Sequence, residues 1–284
     1  MATINYIDTG YFFADGGAMF GAIPKTAWIR KYPSDENNGC ILAMRSLLIQ
    51  TDNGRNILID TGAGYKHLKQ LGYYRFFGLH DLRDCISKYN LKPEDITDVI
   101  LTHLHFDHCG FCTKEEENDE LSMTFPNAQH WVSEQQWHNL IHPNTLEKDS
   151  LFKENIHAVE TAGKLNFIFN DTMLTPDVTM QLFDGHTSKQ IVTTIRTESE
   201  TVVFAGDVIP LFASLSPEWI SAYDVCPLIS YDEKIRLLDK AVEENQRIIF
   251  CHDAYTLSSK VKKTDHGLYL PVRESVHKID IQTD

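Results

Sequence analysis

Three histidines and an aspartate fall within the stretch His103-Leu104-His105-Phe106-Asp107-His108, directly after the apolar run Val99 to Leu101. That run, with Thr97 and Asp98 before it, predicts a short buried strand that ends where the polar cluster begins. A strand end followed by a tight turn holds its side chains in fixed directions. Imidazole nitrogens and a carboxylate oxygen form a ligand set suited to zinc and its borderline neighbours. Four such groups exceed what one tetrahedral ion readily uses. Alternate residues of extended chain share a side, so His103 and His105 are expected to face one ion while Asp107 and His108, beyond the turn, face another. A histidine-rich surface loop is the competing reading, and so dense a cluster behind a buried strand disfavours it.

Three further strand patterns run into a candidate ligand. Val178 to Phe183 leads to Asp184-Gly185-His186, Thr201 to Ala205 leads to Gly206-Asp207, and Arg247 to Phe250 leads to Cys251-His252. Upstream, Cys40 to Gln50 and Arg55 to Asp60 read as a hairpin turned by Thr51-Asp52-Asn53-Gly54. Asp60 is there either a partner for a ligating histidine or a turn former. Helical periodicity marks Leu79 to Tyr89 and Tyr231 to Glu244, and Ser133 opens a helix through Trp137 and Leu140 behind a strand at Gln129 to Val132. His138, His142 and His157 have no carboxylate at ligand spacing and are expected on the surface. The glycine-rich loop from Asp15 to Lys25 carries Met19 and Phe20, which either wall a pocket or plug the edge of the core.

Composition narrows the partners. Against 26 basic residues stand 40 acidic ones, a net charge of −14, and such a surface repels nucleic acid and anionic lipid headgroups. The N-terminus shows neither a basic n-region nor an apolar h-region, and no stretch approaches a membrane-spanning length; a cytoplasmic protein is expected. Six scattered cysteines are too sparse for a disulfide scaffold. The pair Cys109 and Cys112 forms a C-x-x-C without a second pair, read as packing ahead of a redox or extra metal role. With no linker or repeat, residues 1–284 are expected to form one domain, with 1–40 a loop region lining the site or a dimer interface. Strand pairs alternating with helices along both halves call for two packed sheets with helices outside.

The motif Thr-His-Leu-His-Phe-Asp-His, followed in order by Gly185-His186, Gly206-Asp207 and Cys251-His252, resembles the metallo-β-lactamase superfamily of metal-dependent hydrolases. The resemblance implies an α/β (α+β) fold: an αββα sandwich of two mixed β-sheets flanked by helices, with two divalent ions in a groove at the sheet edges. Zinc is the first choice, with Mn, Fe or Co as others. By the same resemblance His103, His105 and His186 look like the ligands of one ion, Asp107, His108 and His252 those of the other, and Asp207 a bridge. The loop Asp-Gly-Gly-Ala-Met-Phe-Gly-Ala-Ile-Pro-Lys and the segments around Gly206-Asp207-Val208-Ile209-Pro210, Ala222-Tyr223-Asp224 and His252-Asp253-Ala254-Tyr255 look like the branch of N-acyl homoserine lactone lactonases and related esterases. That branch implies a homodimer through N-terminal loops.

The expected chemistry is opening of a small lactone or ester by a metal-bridging hydroxide, with Asp107 and Asp207 as catalytic groups that pass a proton to the leaving alkoxide. Met19, Phe20 and Phe106 are expected walls for an acyl chain. Some lactonases carry a tyrosine three residues after the bridging aspartate. This chain has Pro210 there, which leaves Tyr223 or Tyr255 as substitutes. Rival readings are a phosphotriesterase, thioesterase or other ester hydrolase on the same scaffold, and a non-hydrolytic metal or redox module. His105 stands where oxygen-reducing relatives carry glutamate, which disfavours the last.

Overall fold

The computed structural model describes residues 1–117 and 120–279. Along the chain, β1 (Ala2–Asp15), β2 (Gly39–Thr51), β3 (Asn56–Ile59) and β4 (Asp98–Ile100) are followed by the small hairpin β5 (Thr113–Glu115) and β6 (Leu121–Met123), then by β7 (Gln129–Ser133) and β8 (Leu165–Ile168). Among the described residues the first sheet runs β1-β2-β3-β4-β7-β8. The second half contributes β9 (Thr172–Thr175), β10 (Val178–Phe183), β11 (Gln190–Arg196), β12 (Thr201–Phe204), β13 (Arg247–Ile249), β14 (Thr256–Lys263) and β15 (Tyr269–Pro271). They order as β15-β14-β13-β12-β11-β10-β9. Both sheets are mixed: β3, β4, β7 and β8 run parallel, as do β12 and β13, while the remaining pairs are antiparallel.

The layering follows from the two-residue period of a strand. Leu47, Ile49, Ile57, Ile59 and Ile100 point inward and meet Met180, Ile191, Ile195, Val202, Phe204 and Ile249 of the facing sheet. Their sequence neighbours Leu48, Leu58 and Val99 point outward, where Leu82 and Ile86 of α3 (Leu82–Ser87) and Leu140 of α5 (Glu134–Ile141) cover them. On the opposite flank Val192, Val203 and Ile248 are covered by Leu237, Leu238 and Ala241 of the long α7 (Pro227–Glu243). The result is helix, sheet, sheet, helix. Ser133 caps α5 as expected, accepting from Gln136 N. Between α3 and α5 lies α4 (Phe106–Cys109), and α6 (His157–Thr161) follows α5.

Residues 1–40 are not the loop region expected of them. Ala2–Asp15 is a long edge strand paired with β2, with a register shift between Asp8 and Tyr11, and α1 (Gly16–Phe20) and α2 (Lys25–Trp28) follow. The Asp15 side chain accepts from Gly17 N and Ala18 N and starts α1. Their apolar residues, with Trp28, Tyr32 and Leu42, form a cluster at one end of the sandwich.

Because β3, β4 and β7 are parallel, their carboxyl ends share one edge of the first sheet, and β12 and β13 share one edge of the second. The segments that carry His103, Asp207 and His252 all leave from those ends.

Candidate metal centre

The turn after β4 places His105 at the N-cap of α4, so Asp107 and His108 lie on a helical turn while His103 and His105 lie on extended chain. All five histidines of the centre are buried, and Asp107 and Asp207 keep slight exposure. Three ligand-type nitrogens converge on one side: His103 Nε2 is 3.0 Å and His186 Nε2 3.4 Å from His105 Nδ1. On the other side His108 Nε2 and His252 Nε2 are 3.2 Å apart, with Asp107 Oδ2 at 3.6 Å and 3.5 Å from them. Asp207 stands between. Its Oδ1 lies 3.4 Å from His108 Nε2 and 3.1 Å from His252 Nε2, and its Oδ2 lies 3.3 Å from His186 Nε2. Each group of ligand-type atoms fits within 4.8 Å.

The far nitrogen of each ring is occupied by an oxygen. His108 Nδ1 faces Asp60 Oδ2 at 2.8 Å, His186 Nδ1 faces Asp224 Oδ1 at 2.9 Å, and His252 Nδ1 faces the Ala43 carbonyl at 2.8 Å. His103 Nδ1 faces Thr102 Oγ1 at 3.0 Å, and His105 Nε2 faces Glu147 Oε1 at 3.2 Å. Carboxylate and carbonyl acceptors hold the proton on the nitrogen that faces them. The converging nitrogens then present lone pairs to one another, an arrangement that repels unless a cation or extra protons lie between. Nitrogen and carboxylate donors in this number fit divalent ions of the zinc type.

Charge follows the same division. Burial, with the His108 and His105 rings close by, holds His103 well below the ordinary histidine value, and burial lowers His105 as well. Burial also disfavours charge on His108, His186 and His252, yet all three are raised: His108 and His186 by nearby carboxylates, His186 to about 9, and His252 by the Cys251 sulfur and Asp207. Asp207 is pulled well below the carboxylate range, its burial overcome by His252, His108 and His186. Without metal, protons supply the positive charge that the carboxylates demand.

Above the centre opens a cleft of about 140 Å³. Met19 and Phe106 line it, along with Phe12, Leu42, Leu146, Tyr74 and Tyr223. Phe20 does not: it is fully buried, stacked on Trp28 and edge-on to Trp219. Pro210 sits in the wall. Tyr223 shares the cleft, whereas Tyr255 packs edge-on against the buried Tyr32, away from it. His138, His142 and His157 are exposed. Cys109 and Cys112 are buried in the apolar cluster under the first sheet, where burial pushes their thiols up, Cys112 to about 12. Such thiols pack as small apolar groups.

Two carboxylates at the centre have no signature in local sequence. Glu147 and Asp224 lie in irregular segments and reach the site only through the fold. Asp60, either a partner or a turn former by sequence, is a partner: besides His108 it accepts from Thr102 N at 2.8 Å and from Thr102 Oγ1.

Residues 45–112 match the family model described as the metallo-beta-lactamase superfamily. A crystal structure titled a probable metal-dependent hydrolase from Staphylococcus aureus is 31% identical over 99% of this chain and 98% of that one, with a TM-score of 0.87. The dizinc quorum-quenching lactonase AidC, solved with a product, is 20% identical over 95% and 94% of the two chains, with a TM-score of 0.76. The hydrolase AbOPH of the beta lactamase superfamily is 21% identical over 98% and 96%, also at 0.76. The last two are likenesses of fold.

Proposed function

The chain belongs to the metallo-beta-lactamase superfamily of metal-dependent hydrolases, and on that premise we propose that it opens a neutral lactone or ester, with an N-acyl homoserine lactone as the leading substrate. The observation that carries this reading is the wall of the cleft. Among its described lining residues there is no lysine and no arginine, while Asp107, Glu147, Asp207 and Asp224 all contribute carboxylates. A phosphodiester, a nucleic acid or a carboxylate-bearing β-lactam would find no cation but bound metal to meet its charge. An uncharged ester meets no such penalty.

His103, His105 and His186 would hold one divalent ion, Asp107, His108 and His252 a second, and Asp207 would touch both; zinc suits this donor set, and Mn, Fe or Co accept it too. Such ions supply an activated water and neutralise charge that develops on the carbonyl oxygen. The chain's own contribution is positioning. Phe12, Met19, Leu42 and Phe106 offer an apolar surface for an acyl chain and exclude water beside the scissile bond. Asp107 and Asp207, whose carboxylates line the cleft, would carry the proton to the leaving alkoxide. Pro210 has no hydroxyl; Tyr74 and Tyr223, which line the same cleft, would be the phenol donors.

A phosphotriester is the second reading, because it too is uncharged and fits a wall without cations. Purified protein assayed with acyl homoserine lactones, aryl esters and phosphotriesters, before and after removal of metal by a chelator, separates these readings. Lactone opening that disappears on chelation and returns with added divalent metal is expected. Full activity in the metal-free protein would overturn the proposal.

A further inference from the structure

His105 differs from the other four histidines in the nitrogen it turns inward. It presents Nδ1 to His103 Nε2 and His186 Nε2, whereas His103, His108, His186 and His252 all present Nε2 to the centre. In isolation a neutral imidazole carries its proton on either nitrogen, so something must hold the His105 proton on Nε2. The acceptor facing it is Glu147 Oε1, at 3.2 Å, on a side chain that is itself buried.

Glu147 is held in turn by a directional network. Thr187 Oγ1 donates to Glu147 Oε1, and Asn144 Nδ2 donates to Oε2. Gln136 Nε2 donates to Thr187 Oγ1 at 2.9 Å, which commits the threonine proton to Glu147, and Gln136 Oε1 accepts from Leu104 N at 3.1 Å. The loop bearing His105 and the loop bearing His186 are therefore tied through one carboxylate. The backbone is joined as well: Phe106 N donates to Ser150 O at 2.9 Å, and His105 bridges to Leu151. Leu146, Glu147 and Ser150 of this segment also line the cleft.

We propose that Glu147 is a positioning residue for His105, fixing the Nε2–H tautomer so that Nδ1 serves the first ion, and that through it the Asn144 to Leu151 segment couples the cleft wall to the metal centre. The inference rests on the two-ion reading above. A buried carboxylate on the outer nitrogen of a ligating histidine raises the basicity of the inner one, and loss of such partners costs about 10- to 100-fold in metal affinity.

The test compares wild type with Glu147→Ala and Glu147→Gln by competing a chromophoric chelator for Zn²⁺, and by proton NMR of the Co²⁺-loaded proteins. Glu147→Ala is expected to weaken one of two ions by about 10- to 100-fold and leave the other unchanged, and to lose the exchangeable, metal-shifted Nε2–H resonance of His105. Glu147→Gln keeps an acceptor without the charge, so it retains that resonance and loses a smaller, measurable factor; it also serves if the alanine variant does not fold. Wild-type affinity in either variant overturns the inference alone. A wild-type protein that takes up no divalent ion overturns it together with the metal-centre reading.

Discussion

Asp60 Oδ2 lies 2.8 Å from His108 Nδ1, across 48 residues of sequence, and the same carboxylate accepts from both the backbone and the hydroxyl of Thr102. The hairpin between the first sheet's strands is thereby tied to the turn that carries the ligands. Asp60→Ala removes the acceptor of Thr102 N and of the Thr102 hydroxyl and leaves His108 Nδ1 only Thr102 Oγ1 at 3.3 Å, each buried donor left unpaired costing about 1–3 kcal/mol before relaxation. Urea unfolding of metal-free protein is expected to show a loss within that range or somewhat above it, and chelator competition a metal affinity down by about 10- to 100-fold. Unchanged values in both measurements would remove Asp60 from the site.

The two oxygens of Asp207 face different ligand groups, Oδ2 toward His186 and Oδ1 toward His252. Asp207→Asn keeps its shape but removes the charge, and His105→Ala deletes a ligand of the first group only. Both variants are expected to lose metal and most hydrolytic activity, with His105→Ala retaining more of the second ion. Elemental analysis after gel filtration checks this. An Asp207→Asn protein with unchanged metal content argues against a shared carboxylate.

Proton competition should be visible in metal uptake. Burial opposes charge on His186, but Asp207 and Asp224 outweigh it and lift its pKa from 6.5 to about 9 in the metal-free protein. Its charged ring therefore contributes stability that is fully present below about pH 6.5 and is lost as pH rises through about 9. A divalent ion needs the neutral ring and must displace that proton. Calorimetry at about pH 7.5, in buffers of different ionisation enthalpy, is expected to show proton release on binding, with affinity rising toward about pH 9. Heats independent of buffer would contradict it.

Gly185 tests how α7 fixes a ligand. A Cβ at this position would stand 2.4 Å from Ser230 Cα and 2.6 Å from Ser230 N, and backbone atoms cannot rotate away. Gly185→Ala must push the His186 loop off α7, at a cost of about 1–3 kcal/mol as in other overpacked sites. The thermal midpoint of metal-free protein should fall, and metal affinity with it. A variant as stable and as tight as wild type would mean that the loop shifts freely.

The parts of this molecule most legible in the sequence are those written in consecutive residues. The apolar run to Leu101 and the histidines after it mark both a strand and its chemical end, and Gly185-His186, Gly206-Asp207 and Cys251-His252 repeat that form. The hairpin at Thr51 to Gly54 and the cap at Ser133 carry their own local signals. Glu147 and Asp224 carry none, because a carboxylate in a polar segment looks the same whether it faces water or a histidine; only the fold buries it. β1 escaped notice because its register shifts between Asp8 and Tyr11, which breaks the two-residue alternation that betrays a strand. Phe20 shows the same limit from the other side: its apolar character fits a cleft wall or a core, and packing against Trp28, Tyr32 and Trp219 decides for the core.

The most direct measurement is anomalous scattering at the metal absorption edge from crystals of the purified protein. The proposed centre requires two peaks per chain, one among His103, His105 and His186 and one among Asp107, His108 and His252, with Asp207 within bonding reach of both. A single peak, or metal bound elsewhere while the protein still opens lactones, would contradict it.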